Sequence, residues 1–449
     1  MTRWAHAALA LTLAGVPALA RAQSPAAAPP RELTLDEALA MAKRANRSLV
    51  VERARLAEAQ TNVEQAWAAL FPTVTAQGKY TRNYKEVDLD FGALFQQLGV
   101  PLMPMPGVPA SPPITILKQN QLDASISATM PLVAPAAYPA LEAVKTSVRS
   151  SEANYEASET AVLFSVAQTF YAAAVADEVL LSRHSSIEVD RATLENARTR
   201  FAAGTVTKVD VDRAELALVR AEWAELDARY GQAQAYRALA TFIQSDGPFK
   251  VRAPEPPPEP AADDLDSTLH LRPEFRALTF SEQSADAQRR AYGWRWAPTL
   301  SAFGKANIGN YQGFTGDKYA WSTGLQLDWT LYDGGTRDAQ RHLAAAQAIE
   351  AEARAQVLRD SIRDDLANNR LLLDIKRRAV QAAIRAVSLA EETLDLVRSQ
   401  YAAGTVTELD LLQAQDNMVA QQEALAQSHF DAAIADLTLR RAAGTFPPR

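Results

Sequence analysis

Cysteine is absent from the 449 residues. That excludes disulfides, thiolate metal sites and cysteine nucleophiles, and with them a lipid attached to a mature N-terminal cysteine. Aromatic residues are only 7%, thin for a globular core of this size. No polybasic stretch occurs and the formal net charge is -7, so nucleic acid is not an expected partner. Beyond the N-terminal segment the histidines are His184, His270, His342 and His429, none spaced to share a metal ion. Phosphate-binding glycine loops, nucleophile elbows and zinc motifs are missing too. The acidic pairs Asp263-Asp264 and Asp364-Asp365 read as linker and solvated helix face, and Met103 and Met105 are too few for a soft-metal site. No catalytic residue, cofactor or metal is expected, and the chain does not read as an enzyme.

What is present is alanine-rich sequence with many Glu, Gln, Arg and Leu residues, the composition of long packed helices. Residues 1–22 stand apart: Arg3 supplies a positive start, Ala7 to Val16 is apolar but too short to span a bilayer, and Ala20-Arg21-Ala22 fits a small-x-small cleavage site. This segment reads as a secretory signal, and its removal takes the net charge from -7 to -9 by loss of Arg3 and Arg21. No other stretch reads as apolar enough for a transmembrane helix.

The remainder contains one unit twice. Arg200 to Asp210 reads RFAAGTVTKVD and Gln400 to Asp410 reads QYAAGTVTELD, offset by 200 residues. Pro72 to Gly78 (PTVTAQG) matches Pro298 to Gly304 (PTLSAFG) in the same order. The first unit is placed at 23–252, a Pro-rich linker at 253–264 and the second unit at 265–449. Each has the order helix, strand, loop, strand, very long helix, tight turn, helix. A single helix is expected from about Thr34 to Leu70, and Pro273 with Glu274 opens its counterpart. Neither Leu141 to Ala203 nor Thr336 to Ala403 contains Gly or Pro. Roughly 60 helical residues would span about 90 Å, and a helix that long needs partners along its length, as in a coiled coil.

Four segments between the helices alternate with period two. Near 72–82, Val74, Ala76, Gly78 and Tyr80 oppose Thr73, Thr75, Gln77, Lys79 and Thr81. Near 122–132, Ala124, Ile126, Ala128 and Met130 oppose Asp123, Ser125, Ser127 and Thr129. The segments near 298–309 and 320–332 repeat the pattern, the last through Trp329 and Leu331. Each has about 10 residues, the length of a tilted transmembrane strand, with Tyr80, Trp321, Trp329 and Tyr332 suited to interfacial girdles. The loops Tyr84–Gln121 and Asn310–Tyr319 are expected at the outer surface. An open sheet of four cannot sit in lipid with unsatisfied edges, so a barrel must be shared. A dimer gives eight strands and a filled interior, a trimer twelve and room for a conduit. Lys79 and Lys305 fall at equivalent polar-face positions and would line the lumen. The fold class expected is mainly α with a transmembrane β-barrel portion.

The duplicated order, the opening Leu33-Thr-Leu-Asp-Glu-Ala-Leu39, the two Gly-Thr turns followed by Asp, and Leu331-Tyr-Asp-Gly-Gly335 resemble the outer-membrane efflux protein family, the TolC type, over essentially the whole mature chain. The resemblance implies a homotrimer with a twelve-stranded barrel in the outer-membrane lipid and a helical tunnel in the periplasm. It also implies a periplasmic adaptor and an inner-membrane pump as partners, in efflux or type I secretion, with substrate carried through passively. The turns Gly204-Thr205-Val206 and Gly404-Thr405-Val406 would be the tips that dock the adaptor and close the pore. Laid on the family pattern, Asp410 matches an acidic ring at the entrance. Tyr401 matches a tip tyrosine bonding an acid on the neighbouring hairpin, here Asp210. Gln413 replaces a second acid and Val406 a tip arginine. Read without the family, the same turns are sound helix hairpins: Gly ends one helix, Thr207 or Thr407 caps the next, and Asp210 or Asp410 sits in its first turn. A periplasmic coiled-coil adaptor or structural protein without a pore is the rival reading, opposed by the four alternating segments.

Overall fold

The structure, a computed structural model, describes residues 31–447 except 91–92, 94–96, 100–113, 246, 253–264 and 311–316. The signal segment, the Pro-rich linker, Met103, Met105, half of the first strand-connecting loop and most of the second lie outside the described residues.

Two helices dominate: α3 (Ala137–Ala202, 66 residues) and α7 (Thr336–Ala402, 67 residues). Each turns back into a helix about half as long, α4 (Lys208–Ile243) and α8 (Glu408–Ala442). At 1.5 Å per residue the long helices run about 100 Å. The shorter helix α2 (Arg47–Ala68) packs against α3, and after the short α5 (Leu265–Leu271) helix α6 (Pro273–Trp294) packs against both α3 and α7. Pro273 opens α6 as expected, because its missing N–H is one the first turn leaves unpaired anyway.

The helix expected from Thr34 to Leu70 is two helices: α1 (Leu35–Ala45) ends where α2 begins, at Asn46. Asn46 has extended backbone (φ -64, ψ 125); its side chain accepts from Ser48 N at 2.9 Å and donates to the Phe242 carbonyl at 3.1 Å. This side chain caps the second helix and ties it to α4. The Thr34 cap is present, reinforced by Glu37 in a capping box.

Four strands form one antiparallel sheet in the order β2 (Thr73–Arg82), β5 (Asn120–Val133), β7 (Thr299–Gly309), β8 (Tyr319–Asp328). The last ends at Asp328, so Trp329 and Leu331 lie beyond the strand. Register keeps like with like: Val74 opposes Ala128, Ile126 opposes both Ala76 and Ala306, and Lys79 opposes Asp123. One face is therefore largely apolar, interrupted by Thr323, and the other largely polar, interrupted by Ala320 and by Phe303, whose ring lies against Gly324. Thr75 and Ser127 hydroxyls are bonded across the polar face at 2.7 Å. Lys79 and Lys305 share that face, both exposed. Leu122, Ile126, Leu325 and Leu327 on the apolar face are more than half exposed.

Two small ladders were not expected. Between β2 and β5, β3 (Val87–Leu89) pairs with β4 (Ile114–Leu117). β1 (Arg31–Leu33) runs parallel to β6 (Phe249–Val251). Three- and four-residue strands are too short to display a period. The second ladder covers the main core, where Leu33, Leu163, Val166, Phe170, Leu239 and Ile243 are fully buried. Contrary to the sequence reading, α3 does contain an 18-residue window of mean hydropathy 1.2, enough to pass for a membrane span; the same helix supplies Leu163 to Ala173 to this core.

Candidate functional site: the hairpin tips

The two tips have the same backbone. Gly204 and Gly404 take left-handed φ values of 74° and 75°, which only glycine adopts without cost. Each glycine N–H reaches back to the carbonyl three residues earlier, Phe201 at 2.9 Å and Tyr401 at 3.1 Å. Thr205 and Thr405 bond the carbonyls of Arg200 and Gln400 through both N–H and hydroxyl, at 2.9 to 3.0 Å. Val206 and Val406 are half-buried, Val406 against the cluster of Leu394, Tyr401, Leu411 and Ala414.

Capping boxes start both return helices. Asp210 accepts from Thr207 N at 2.9 Å and its hydroxyl at 2.8 Å; Asp410 accepts from Thr407 N at 2.8 Å and its hydroxyl at 2.7 Å. These bonds favour the ionised acids. The backbone bond from Thr207 chiefly holds Asp210 below its usual range, and the Thr407 side chain chiefly does so for Asp410. Thr407→Ala is expected to cost about 1 kcal/mol of stability by loss of the cap, read as a lowered melting temperature with no change in oligomer mass.

The partner expected for Tyr401 is not the one it has. Its hydroxyl donates to Glu408 Oε2 at 3.3 Å, within its own hairpin. Asp210, whose charge still reaches the ring hydroxyl, is occupied by its own cap. The link across the seam comes instead from Arg200 at the end of α3. Its guanidinium lies 4.4 Å from the Tyr401 ring centroid and donates to the Tyr401 carbonyl at 3.2 Å. Burial, then the neighbouring Glu408 charge, raises the Tyr401 hydroxyl above the ordinary tyrosine value.

Sequence reasoning missed Arg200 and Glu408, yet a signal for both exists. The repeats are nearly identical here, and the contact is built from positions where they differ: Arg200 against Gln400, Phe201 against Tyr401, Lys208 against Glu408. These differences put the cation on one side of the seam and the ring with its carboxylate on the other.

Above the tip, the α3/α4 and α7/α8 hairpins meet along a seam of polar layers. Gln415 donates to the Thr193 hydroxyl at 3.1 Å, Arg183 to Glu423 at 2.7 Å and Ser182 to Gln422 at 3.0 Å. Between these layers a cavity of about 360 Å³ holds Asp190 of α3 and Asp416 of α8.

The outer membrane efflux protein model matches residues 38–243 and 265–445. Outer membrane efflux protein BepC of Brucella suis is 26% identical over 309 residues, 67% of each chain. Outer membrane protein TolC of Vibrio cholerae is 25% identical over 348 residues, 73% of this chain and 78% of that one. Among solved structures, a membrane protein from Pseudomonas aeruginosa superposes with a TM-score of 0.75 at 20% identity, over 91% of this chain and 93% of the other.

Proposed function

The chain belongs to the outer membrane efflux protein family, and from that premise we propose that three copies close a single twelve-stranded barrel whose helical hairpins extend as a tunnel through the periplasm. The function is that of the family, an outer-membrane exit duct of an efflux system. The observation that carries the proposal is the four-stranded sheet with one exposed apolar face. Among the described residues its end strands β2 and β8 each pair on one side only. In lipid such edges would leave unpaired N–H and C=O groups, each costing several kcal/mol. Joining β8 of one copy to β2 of the next keeps the antiparallel alternation and leaves no edge. The polar face with Lys79 and Lys305 then lines the lumen. A pore-free coiled coil in the periplasm would leave the apolar face in water.

In this reading the tips dock a periplasmic adaptor, which links the duct to an energised inner-membrane pump of an efflux or type I secretion system. Substrates pass through with no bond made or broken. Arg200 and Tyr401 hold the two hairpins together at the mouth. Three Asp410 carboxylates near the axis would favour cations. Asp410→Asn keeps an acceptor for Thr407 but removes the charge, and is expected to shift the reversal potential in a salt gradient toward lower cation selectivity. An unchanged reversal potential would remove Asp410 from the pore.

The direct test is the mass of the purified protein in detergent together with its conductance in a planar bilayer. A trimer giving discrete steps supports the duct. A monomer or dimer that stays silent even with the tips opened overturns the shared barrel.

A further inference from the structure

We propose that the buried carboxyl groups of Glu408 and Asp190 are proton-operated locks on the seam between the two hairpins, holding the periplasmic mouth shut while protonated and releasing it as the pH rises. The proposal rests on the duct reading above and on two features of the seam.

First, both acids sit where an ionised carboxylate is poorly served. Glu408 is 3% exposed, and its Oε1 has no hydrogen-bond partner among the described residues. Among the described residues the Tyr401 hydroxyl, from α7, bonds its other oxygen. Arg200 from α3 and Arg213 from α4 act on it favourably through space, and Asp210 from α4 opposes them. Asp190 is 7% exposed, beside Ser186 of its own helix and opposed by Asp416 from α8. Arg183 of α3, Arg213 and Arg220 of α4 and Glu423 of α8 line the same cavity, but Arg183 is bonded to Glu423 and Arg213 pairs with Asp210 at 3.8 Å.

Second, the two acids lie at two heights of one seam, Glu408 at the tip and Asp190 about 18 Å above the end of α3 by helical rise. Separating the hairpins would admit water to both. Burial, then the opposing charge of Asp416, pushes Asp190 up to about 6 from 3.8, and burial raises Glu408 in the same direction. The sign follows. Below the ordinary carboxylate value both the shut and the parted seam are protonated, and the seam keeps its full stability. Between about 3.8 and 6 the shut seam holds a proton on Asp190 that the parted seam has released. Each pH unit in that window therefore favours parting by up to about tenfold for each Asp190. Above it the effect of Asp190 is complete, roughly 100-fold per protomer.

The test is open probability of the full mature protein in planar bilayers from pH 4 to 7.5, for wild type, Glu408→Gln with Asp190→Asn, and Tyr401→Ala as a conduction control. The chain has no cysteine, so spin labels at Ala202→Cys and Ala402→Cys report the distance between hairpins in the same pH series without any current. Wild type is expected to open, and its labels to separate, as the pH rises. The double variant stays shut and flat with pH. A flat wild type beside a conducting Tyr401→Ala overturns the lock, as does a double variant that keeps the wild-type slope, which would move the titration to Asp410. If every form is silent, the duct reading fails. The label distances then still decide the lock, and no pH-dependent change in them overturns it.

Discussion

Replacing Tyr401 with alanine is expected to raise the open probability of the duct by about 5- to 30-fold for each protomer that must move. The bond from Tyr401 to Glu408 lies within the α7/α8 hairpin and survives any motion that parts the two hairpins. What parting breaks is the Arg200 contact, a guanidinium lying over the buried Tyr401 ring and also bonded to the Tyr401 backbone carbonyl, which alanine keeps. The cation over a desolvated ring, lost in the alanine variant, contributes about 1–2 kcal/mol, and 1.4 kcal/mol is a factor of ten. If three protomers open together, the factors multiply. Arg200→Ala should match or exceed the effect with Tyr401 intact, because it removes the carbonyl bond as well as the ring contact, and Arg200→Lys should fall between it and wild type, because an ammonium keeps the charge but loses the planar face. Asp210→Asn should open the duct little, since Asp210 is engaged in its own cap. Single-channel recording separates these outcomes. A closed Arg200→Ala with an open Asp210→Asn would restore the tyrosine–aspartate latch that the family pattern implies.

Ile126→Arg is expected to abolish assembly in the outer membrane. Ile126 sits near the middle of β5 on the apolar face, flanked by Ala76 and Ala306 on the two neighbouring strands. An arginine on the lipid face near the bilayer midplane costs about 2–4 kcal/mol, and a trimeric barrel would carry three. Ser125→Arg, one residue away, points to the polar face beside Lys79 and Asp123 and should still yield trimers. Heat-resistant oligomers in the outer-membrane fraction read both. If the two variants behave alike, the sheet does not have one face in lipid and one in water.

Much of the molecule could be read before any coordinates because its strongest signals are local. The strand near 72–82 alternates at every position, and it forms over Thr73–Arg82. The turn at Gly404 carries its glycine, threonine cap and aspartate within seven residues, and that capping box is observed. Where local signals were weak the reading erred. Asn46 looks unremarkable in an alanine-rich stretch, and only its bond to the Phe242 carbonyl, 196 residues away, explains why the helix breaks there. The parallel ladder of Arg31–Leu33 with Phe249–Val251 has three residues per strand and no period to detect.

The sequence by itself determined the repeated motifs, the two very long helices, the four strands with one apolar side and the glycine turn with its threonine–aspartate cap at each tip. All of these follow from residue types at short fixed spacings, where helical and strand geometry dictates which side chains share a face. Only the tertiary structure decided what meets across the seam: Arg200 against Tyr401, Asp190 facing Asp416, Gln415 on Thr193. Those residues lie more than 200 positions apart. Their contacts depend on how far each helix has rotated about its axis when the hairpins pack, a quantity that small angular increments accumulate over many turns and that no local spacing records.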